Sequence, residues 1–324
     1  MGHSGTVRLR DRILDVGLAA LSLIVAPILY LFARKRWSLR ATRRIHDAIG
    51  VTVVQNHYYE PVFTDANLSA PSDRVRLLPG VDFNMAGQLA TLARFRFAAE
   101  LASLDGSAVN EHVYRYENQN RMFAEGDADA LYSFIRAYKP ATVIEIGCGQ
   151  SSIVAELALR KNQAEDSSQA PRHICFEPFH NGWLHGIGAD FRPLRVEEVE
   201  LPIFQNLKPN DMVFIDSTHV LRPQGDVEHE FLRILPLLPA RVLVHIHDIF
   251  TPRDYSHKFL RQDRRFWTEQ YVLEAFLSHN RDYEVLLALN DLHARREPAL
   301  YEALPILAAR PESQPGSFWI RRHS

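Results

Sequence analysis

The chain has 324 residues, 46% of them hydrophobic, enough for a substantial core in one large α/β domain or two smaller ones. A formal net charge of −2 argues against a dedicated nucleic-acid binder, which would carry a basic excess. The two cysteines, Cys148 and Cys175, stand outside any CxxC arrangement. They are poor material for a disulfide framework or a zinc cage, and a reducing compartment fits them best.

Charge is uneven along the chain. Nine Arg or Lys residues (Arg8, Arg10, Arg12, Arg34, Lys35, Arg36, Arg40, Arg43, Arg44) face three acids (Asp11, Asp15, Asp47) in residues 1–50, which points to a membrane surface. Between the basic clusters, residues 13–32 (ILDVGLAALSLIVAPILYLF) are almost wholly apolar. As a helix they would reach about 30 Å, the thickness of a bilayer core. Arg34-Lys35-Arg36 stands where a cleavable signal would need small residues, so the segment is expected to stay. Asp15 and the kinking Pro27 leave a spanning and a re-entrant path open. The stretch resembles the membrane helix of bacterial polyprenyl-phosphate sugar-phosphate transferases, which bends back at a proline. Either path keeps the rest of the chain on the cytoplasmic side of the inner membrane, with lipid contacts through residues 13–32.

The expected division is a membrane segment at 1–36, a connecting arm and helical extension at 37–117, and a main domain at 118–324. Apolar residues recur at helical spacing from 84 to 104 and again from 127 to 138, where Pro140 closes the pattern. The period then changes to short apolar runs at 142–146, 173–176, 212–215, 242–246, 284–289 and 318–320, with helices expected at 151–160, 226–237 and 266–278. Strands alternating with helices predict a parallel sheet covered on both faces. The polar run 161–169 reads as a surface loop.

The first strand enters a helix through Glu145-Ile146-Gly147-Cys148-Gly149-Gln150-Ser151-Ser152, where glycines let the backbone approach a ligand at a helix N-terminus. Ser152 replaces the third glycine of a dinucleotide motif, and an acid precedes the first. A nucleoside with a cationic sulfonium needs no pyrophosphate site, and Glu145 could orient its amino-acid end. The next run ends in Phe176-Glu177-Pro178, an acid placed for a ribose diol.

These stretches, with 123–127, Phe214-Ile215-Asp216-Ser217-Thr218-His219 and His245-Ile246-His247-Asp248-Ile249-Phe250, occur in the order found in class I S-adenosylmethionine-dependent methyltransferases. Residues 118–320 resemble that family, in the bacterial group related to macrolide sugar O-methyltransferases and cephalosporin hydroxylases. The resemblance implies an α/β, Rossmann-like sheet of seven mostly parallel strands, the last antiparallel, with helices on both faces. It also implies that Glu145, Gly147, Gly149, Gln150 and Ser151 lie along the methionine end of S-adenosylmethionine, with Glu177 on its ribose and Asp216 beside it.

Methyl transfer to a hydroxyl needs an oriented acceptor and a group to take its proton. Asp216, His219, His247 and Asp248 end two adjacent predicted strands and are the candidates. In related enzymes Asp216 and Asp248 would hold Mg2+, a hard cation. Ile249 stands where those relatives place an Asn ligand, so base catalysis by His219 or His247 competes with the metal. The anchor and the resemblance together suggest a saccharide or lipid-linked glycan as acceptor, although a small molecule fits too. Aromatic residues at 57–59 and 266–271 could close over it. Two other functions remain: a metal-dependent hydrolase using His245-x-His247-Asp248, and a silent cofactor-binding scaffold. The oligomeric state is not written in the sequence.

Overall fold

The computed structural model describes residues 9–35, 38–109, 115–118, 120, 122–179 and 185–323. Arg8 and Arg36 of the basic clusters lie outside the described residues. The chain divides into two compact units, residues 1–69 and 70–324.

In the first unit, helix α1 (Leu9–Lys35) contains the apolar run with Pro27 inside it, and α2 (Arg40–Ala48) follows. Among the described residues α1 is the one helix long and apolar enough to cross a membrane, by length and composition. Phe32 meets His46 of α2 edge-on, with ring centroids 5.2 Å apart. His57, Tyr58 and Tyr59 form an exposed stack of rings.

The second unit opens with α3 (Met85–Leu92) and α4 (Ala98–Leu101), where one continuous helix was expected. The chain turns between them so that Phe95 packs edge-on against Phe134. Then come α5 (Asp127–Tyr138), β1 (Thr142–Ile146), α6 (Gln150–Glu165), β2 (Arg172–Phe176), β3 (Asp190–Arg192), α7 (Pro202–Gln205), β4 (Met212–Ile215) and α8 (Asp226–His229). Next are β5 (Leu243–Ile246), α9 (Glu269–Leu277), β6 (Tyr283–Ala288), α10 (Leu289–Ala294), α11 (Pro298–Ala303), α12 (Pro305–Ala308) and β7 (Phe318–Arg322).

The seven strands form one sheet in the order β3-β2-β1-β4-β5-β7-β6. Neighbours from β3 to β5 pair in parallel, and β7 runs antiparallel to both β5 and β6. This is the Rossmann-like architecture expected.

Alternation along each strand divides the core. Val143, Phe214, Leu243 and Trp319 join the cluster under α5 and α6, whereas Ile144, Ile146, Val213, Ile215 and Val244 join the cluster under α9. Strands covered on both faces read as continuous apolar runs, which is why β1, β4 and β5 were easy to find.

Two further helices differ from expectation. The polar run after residue 160 extends α6 to Glu165, because Asn162 and Glu165 both accept hydrogen bonds from the buried Arg136 guanidinium of α5. The helix expected over 226–237 is α8, a π-type turn (Glu230–Ile234) and a 3₁₀ turn (Leu235–Leu237) in succession. Pro236 has no N–H to continue an α-helical ladder there.

Candidate functional site

The turn after β1 is stitched to both neighbouring strands. Gly147 N–H donates to Phe176 O of β2 (2.9 Å), and Asp216 N–H, just past β4, donates to Ile146 O (2.8 Å). Gly147 sits at φ +81°, and a Cβ there would fall 1.9 Å from the Asp216 carbonyl oxygen. Only glycine fits so close an approach. Gly149 caps α6, its N–H donating to Ser152 Oγ (3.2 Å), and the space beside its Cα is open. Gln150 and Ser151 begin the helix, and the Gln150 Oε1 is buried without a partner.

Gly147, Glu177 and Asp216 meet on one cleft, with Arg195, Thr218 and Arg222 among its other walls. Glu177 is held toward the turn, accepting from Cys148 N–H (3.4 Å) and Phe179 N–H (2.8 Å). Glu145 is not on this cleft. Its side chain shares the sheet face of Val143, is fully buried, and engages His173 Nε2 at 2.8 Å. Strand parity explains the departure: Ile146 faces one cluster, so Glu145 must face the other.

Across the sheet edge the four expected charged residues do converge. His219 Nε2 lies 3.3 Å from Asp216 Oδ1 and 3.7 Å from Asp248 Oδ2, and its Nδ1 lies 2.7 Å from Glu269 Oε2. His247 Nε2 lies 4.0 Å from Asp248 Oδ1. Both His219 (φ +61°) and Asp248 (φ +54°) hold left-handed backbone. Such strain in non-glycine residues persists where the surroundings over-determine it.

Electrostatics assign different states to these groups. Burial opposes a charge on His219, but Asp216 and Glu269 outweigh it and hold the imidazole pKa well above its ordinary value. Burial would likewise raise Asp216, yet His247 and His219 bring it down to about 2. For His247 burial is outweighed by Asp216, Asp248 and Asp127, and the net direction is up. His219 is therefore an imidazolium clamped between carboxylates, a holder of charge and a poor base. His245 differs from all of these. It stacks on Phe214 (4.1 Å), reaches Ser317 Oγ (3.0 Å), and is kept neutral by burial and by His247.

Residues 144–249 match a methyltransferase domain family. The matched segment holds the turn, Glu177 and the charged edge, and it supports S-adenosylmethionine-dependent methylation by a class I domain. An uncharacterized protein of Archaeoglobus fulgidus is 27% identical over 175 residues, covering 50% of this chain and 76% of that relative.

Two expectations do not survive. The hydrolase reading is not favoured: His245 is a packed core imidazole, and a methyltransferase domain accounts for the turn. Mg2+ on Asp216 and Asp248 is not supported either. Those carboxylates already close on His219 Nε2, at 3.3 Å from Asp216 and 3.7 Å from Asp248, and Ile249, 1% exposed, is part of the core.

Three acids escaped the sequence reading. Glu269 anchors His219 from fifty residues away, and Asp226 accepts from Thr218 N–H (2.9 Å) and Oγ1–H (2.8 Å). Asp127 accepts from Ser317 N–H (2.8 Å), and burial raises it to about 6 despite His247 and Ser317. Asp127 lies in the stretch 123–127 that carried the family resemblance, which was its one available signal. Trp267, in the aromatic stretch 266–271 expected beside the acceptor, lies against the His219 ring at 4.4 Å.

Proposed function

We propose that this methyltransferase domain O-methylates a saccharide or lipid-linked glycan at the cytoplasmic face of the inner membrane. The observation that carries the reading is the cleft shared by Gly147, Glu177 and Asp216. It offers a close backbone approach, a carboxylate for a ribose diol and an acid beside the transfer edge. The unpartnered Oε1 of Gln150, the first residue of α6 after the turn, would accept from a ligand amine, so these residues fit S-adenosylmethionine. When bound, that cofactor supplies an electrophilic methyl group. The glycan class rests on the resemblance to sugar O-methyltransferases, and the location on the apolar helix between basic clusters.

The chain's own residues would then act as follows. Asp248, with its side chain 20% exposed at the sheet edge, holds the acceptor hydroxyl. Asp248 takes its proton, and His247 behind it, whose pKa is raised by the surrounding carboxylates, steadies the Asp248 carboxylate. Asp216 and the His219 imidazolium fix the geometry of the edge, and Glu269 fixes His219. Trp267 shields the pair from water.

Isothermal titration of the full-length protein with S-adenosylmethionine tests the basis of this reading. Micromolar, one-to-one binding is expected, and a folded protein without binding at hundreds of micromolar would sink it. With labelled cofactor and envelope extract, Asp248→Asn and His247→Gln are expected to lower transfer about 100-fold or more while leaving cofactor affinity within a few fold. Full transfer by both variants would overturn the roles given to Asp248 and His247, and no transfer by a wild-type protein that binds the cofactor would leave only a cofactor-binding scaffold.

A further inference from the structure

The sequence separates its two cysteines by 27 positions. In the fold the Cys148 Sγ lies 3.9 Å from Glu145 O and 3.6 Å from Phe176 O, whereas Cys175 faces the Glu145 carboxylate. Cys175 and His173 alternate on β2 and so share a face, and Glu145 of β1 is the register partner of Cys175. The Cys175 Sγ lies 3.4 Å from Glu145 Oε2 and 3.5 Å from His173 Nε2, and those two atoms are 2.8 Å apart. All three residues are buried, and their donor atoms lie within 4.8 Å of one another. Glu156 of α6 closes the group from above, its Oε2 3.3 Å from His173 Nδ1. The other Glu145 oxygen, Oε1, is buried without any partner. A carboxylate oxygen in that state is costly, and it points to something the cluster is built to receive.

The spacing matches a tetrahedral metal. With zinc bond lengths of about 2.3 Å to sulfur and about 2.0–2.2 Å to nitrogen or oxygen, the sulfur edges of the tetrahedron are about 3.5–3.6 Å and the nitrogen–oxygen edge about 3.4 Å. Both sulfur edges are already present within about 0.2 Å by that geometry. Only the His173–Glu145 edge is shorter, as a direct hydrogen bond between them requires.

We propose that Glu145, His173 and Cys175 form a structural site for a thiolate-seeking divalent cation of the zinc class. One sulfur, one imidazole and one carboxylate select such a cation over Mg2+ or Ca2+. Binding forms three metal–ligand bonds to the protein. It expels the thiol proton of Cys175 and the proton shared by His173 Nε2 and Glu145, and no redox change is involved. Glu156 is the positioning residue, fixing the His173 ring through Nδ1 as outer carboxylates do at histidine–zinc sites. The site would tie β1 and β2 to a single ion.

Co2+ is the probe. The full-length protein, reduced and stripped with chelator, is expected to take up one equivalent, showing thiolate charge-transfer absorption and the intense visible bands of tetrahedral Co2+, with Zn2+ displacing it. Cys175→Ser and His173→Ala should each weaken uptake at least tenfold, and Glu156→Gln by about 10–100-fold. His279→Ala, remote from the cluster, should leave it unchanged. The folding of each variant is checked by circular dichroism, and the wild-type titration stands on its own. The proposal fails if folded, reduced wild-type protein binds no Co2+ at micromolar concentration. It fails equally if binding survives both Cys175→Ser and His173→Ala, or if mass spectrometry shows Cys148 and Cys175 joined only as a disulfide in protein isolated without reductant.

Discussion

Gly147 and His219 show how much of the site hangs on single residues. An alanine at position 147 would need both a positive φ and room that the Asp216 carbonyl already fills. Gly147→Ala is expected to cost at least about 1–3 kcal/mol through backbone strain alone, with further loss from the clash, and to abolish cofactor binding. A thermal melt and a calorimetric titration check both outcomes. His219 gives a pH signature. Its folded pKa is raised above the ordinary value of 6.5, so its ion pairs contribute stability that is complete below that value and is lost as pH climbs through the folded pKa. Urea melts of wild type and His219→Gln should therefore differ most near pH 6 and converge on the alkaline side; a gap that widens with pH would contradict the charged state. Asp216 and His219 were legible as a pair because they sit three residues apart at a strand end. Glu269, which holds the same imidazole, was not, since only the folded packing of α9 brings it there. Glu145 was read as a cofactor contact from its place before the glycine, and strand parity turned it to the opposite face.

Among the elements, the helices that pack on α5 depend on one cation. Arg136 is buried and its guanidinium reaches Glu100 of α4 as well as Asn162 and Glu165 of α6. Arg136→Ala leaves the buried Asn162 carbonyl oxygen without its donor and Glu100 with the Tyr132 hydroxyl alone. A loss of about 3 kcal/mol is expected in urea unfolding, the low end for a broken buried pair because Glu165 is partly exposed. The same residue explains why the end of α6 could not be read from sequence: KNQAEDSSQ has no apolar stripe, and its helical state rests on Asn162 and Glu165 meeting Arg136. Strands β1, β4 and β5 were legible because burial on both faces writes an uninterrupted apolar run. β3, three residues long with a charge at each end, carries no such pattern. The segment 226–237 kept its helical character but not its regularity. Its π-type turn places Glu230 under Ser217 (3.2 Å), next to the charged edge, where irregular turns often serve a site.

At the scale of the whole molecule, the apolar α1 and the sheet belong to separate compact units. A chain lacking residues 1–35 is expected to move from the membrane pellet to the soluble fraction while keeping its affinity for S-adenosylmethionine. Carbonate extraction and calorimetry would check this, and membrane retention by the truncated chain would refute the anchor. The seven-stranded, mostly parallel sheet, its antiparallel last strand and the position of the turn were legible from the family resemblance and the alternation of short runs. The extra helices α10 to α12 between β6 and β7 were not, being short and interrupted by Pro298 and Pro305.

The contact between Gly147 and the Asp216 carbonyl has a thermodynamic consequence. One peptide plane is the floor of the turn and the root of the acceptor edge at once, so a ligand seated on either side biases the position of the other. Affinities for cofactor and acceptor should then be linked, and linkage of this kind is reciprocal: whatever factor one ligand lends the other, it receives in return.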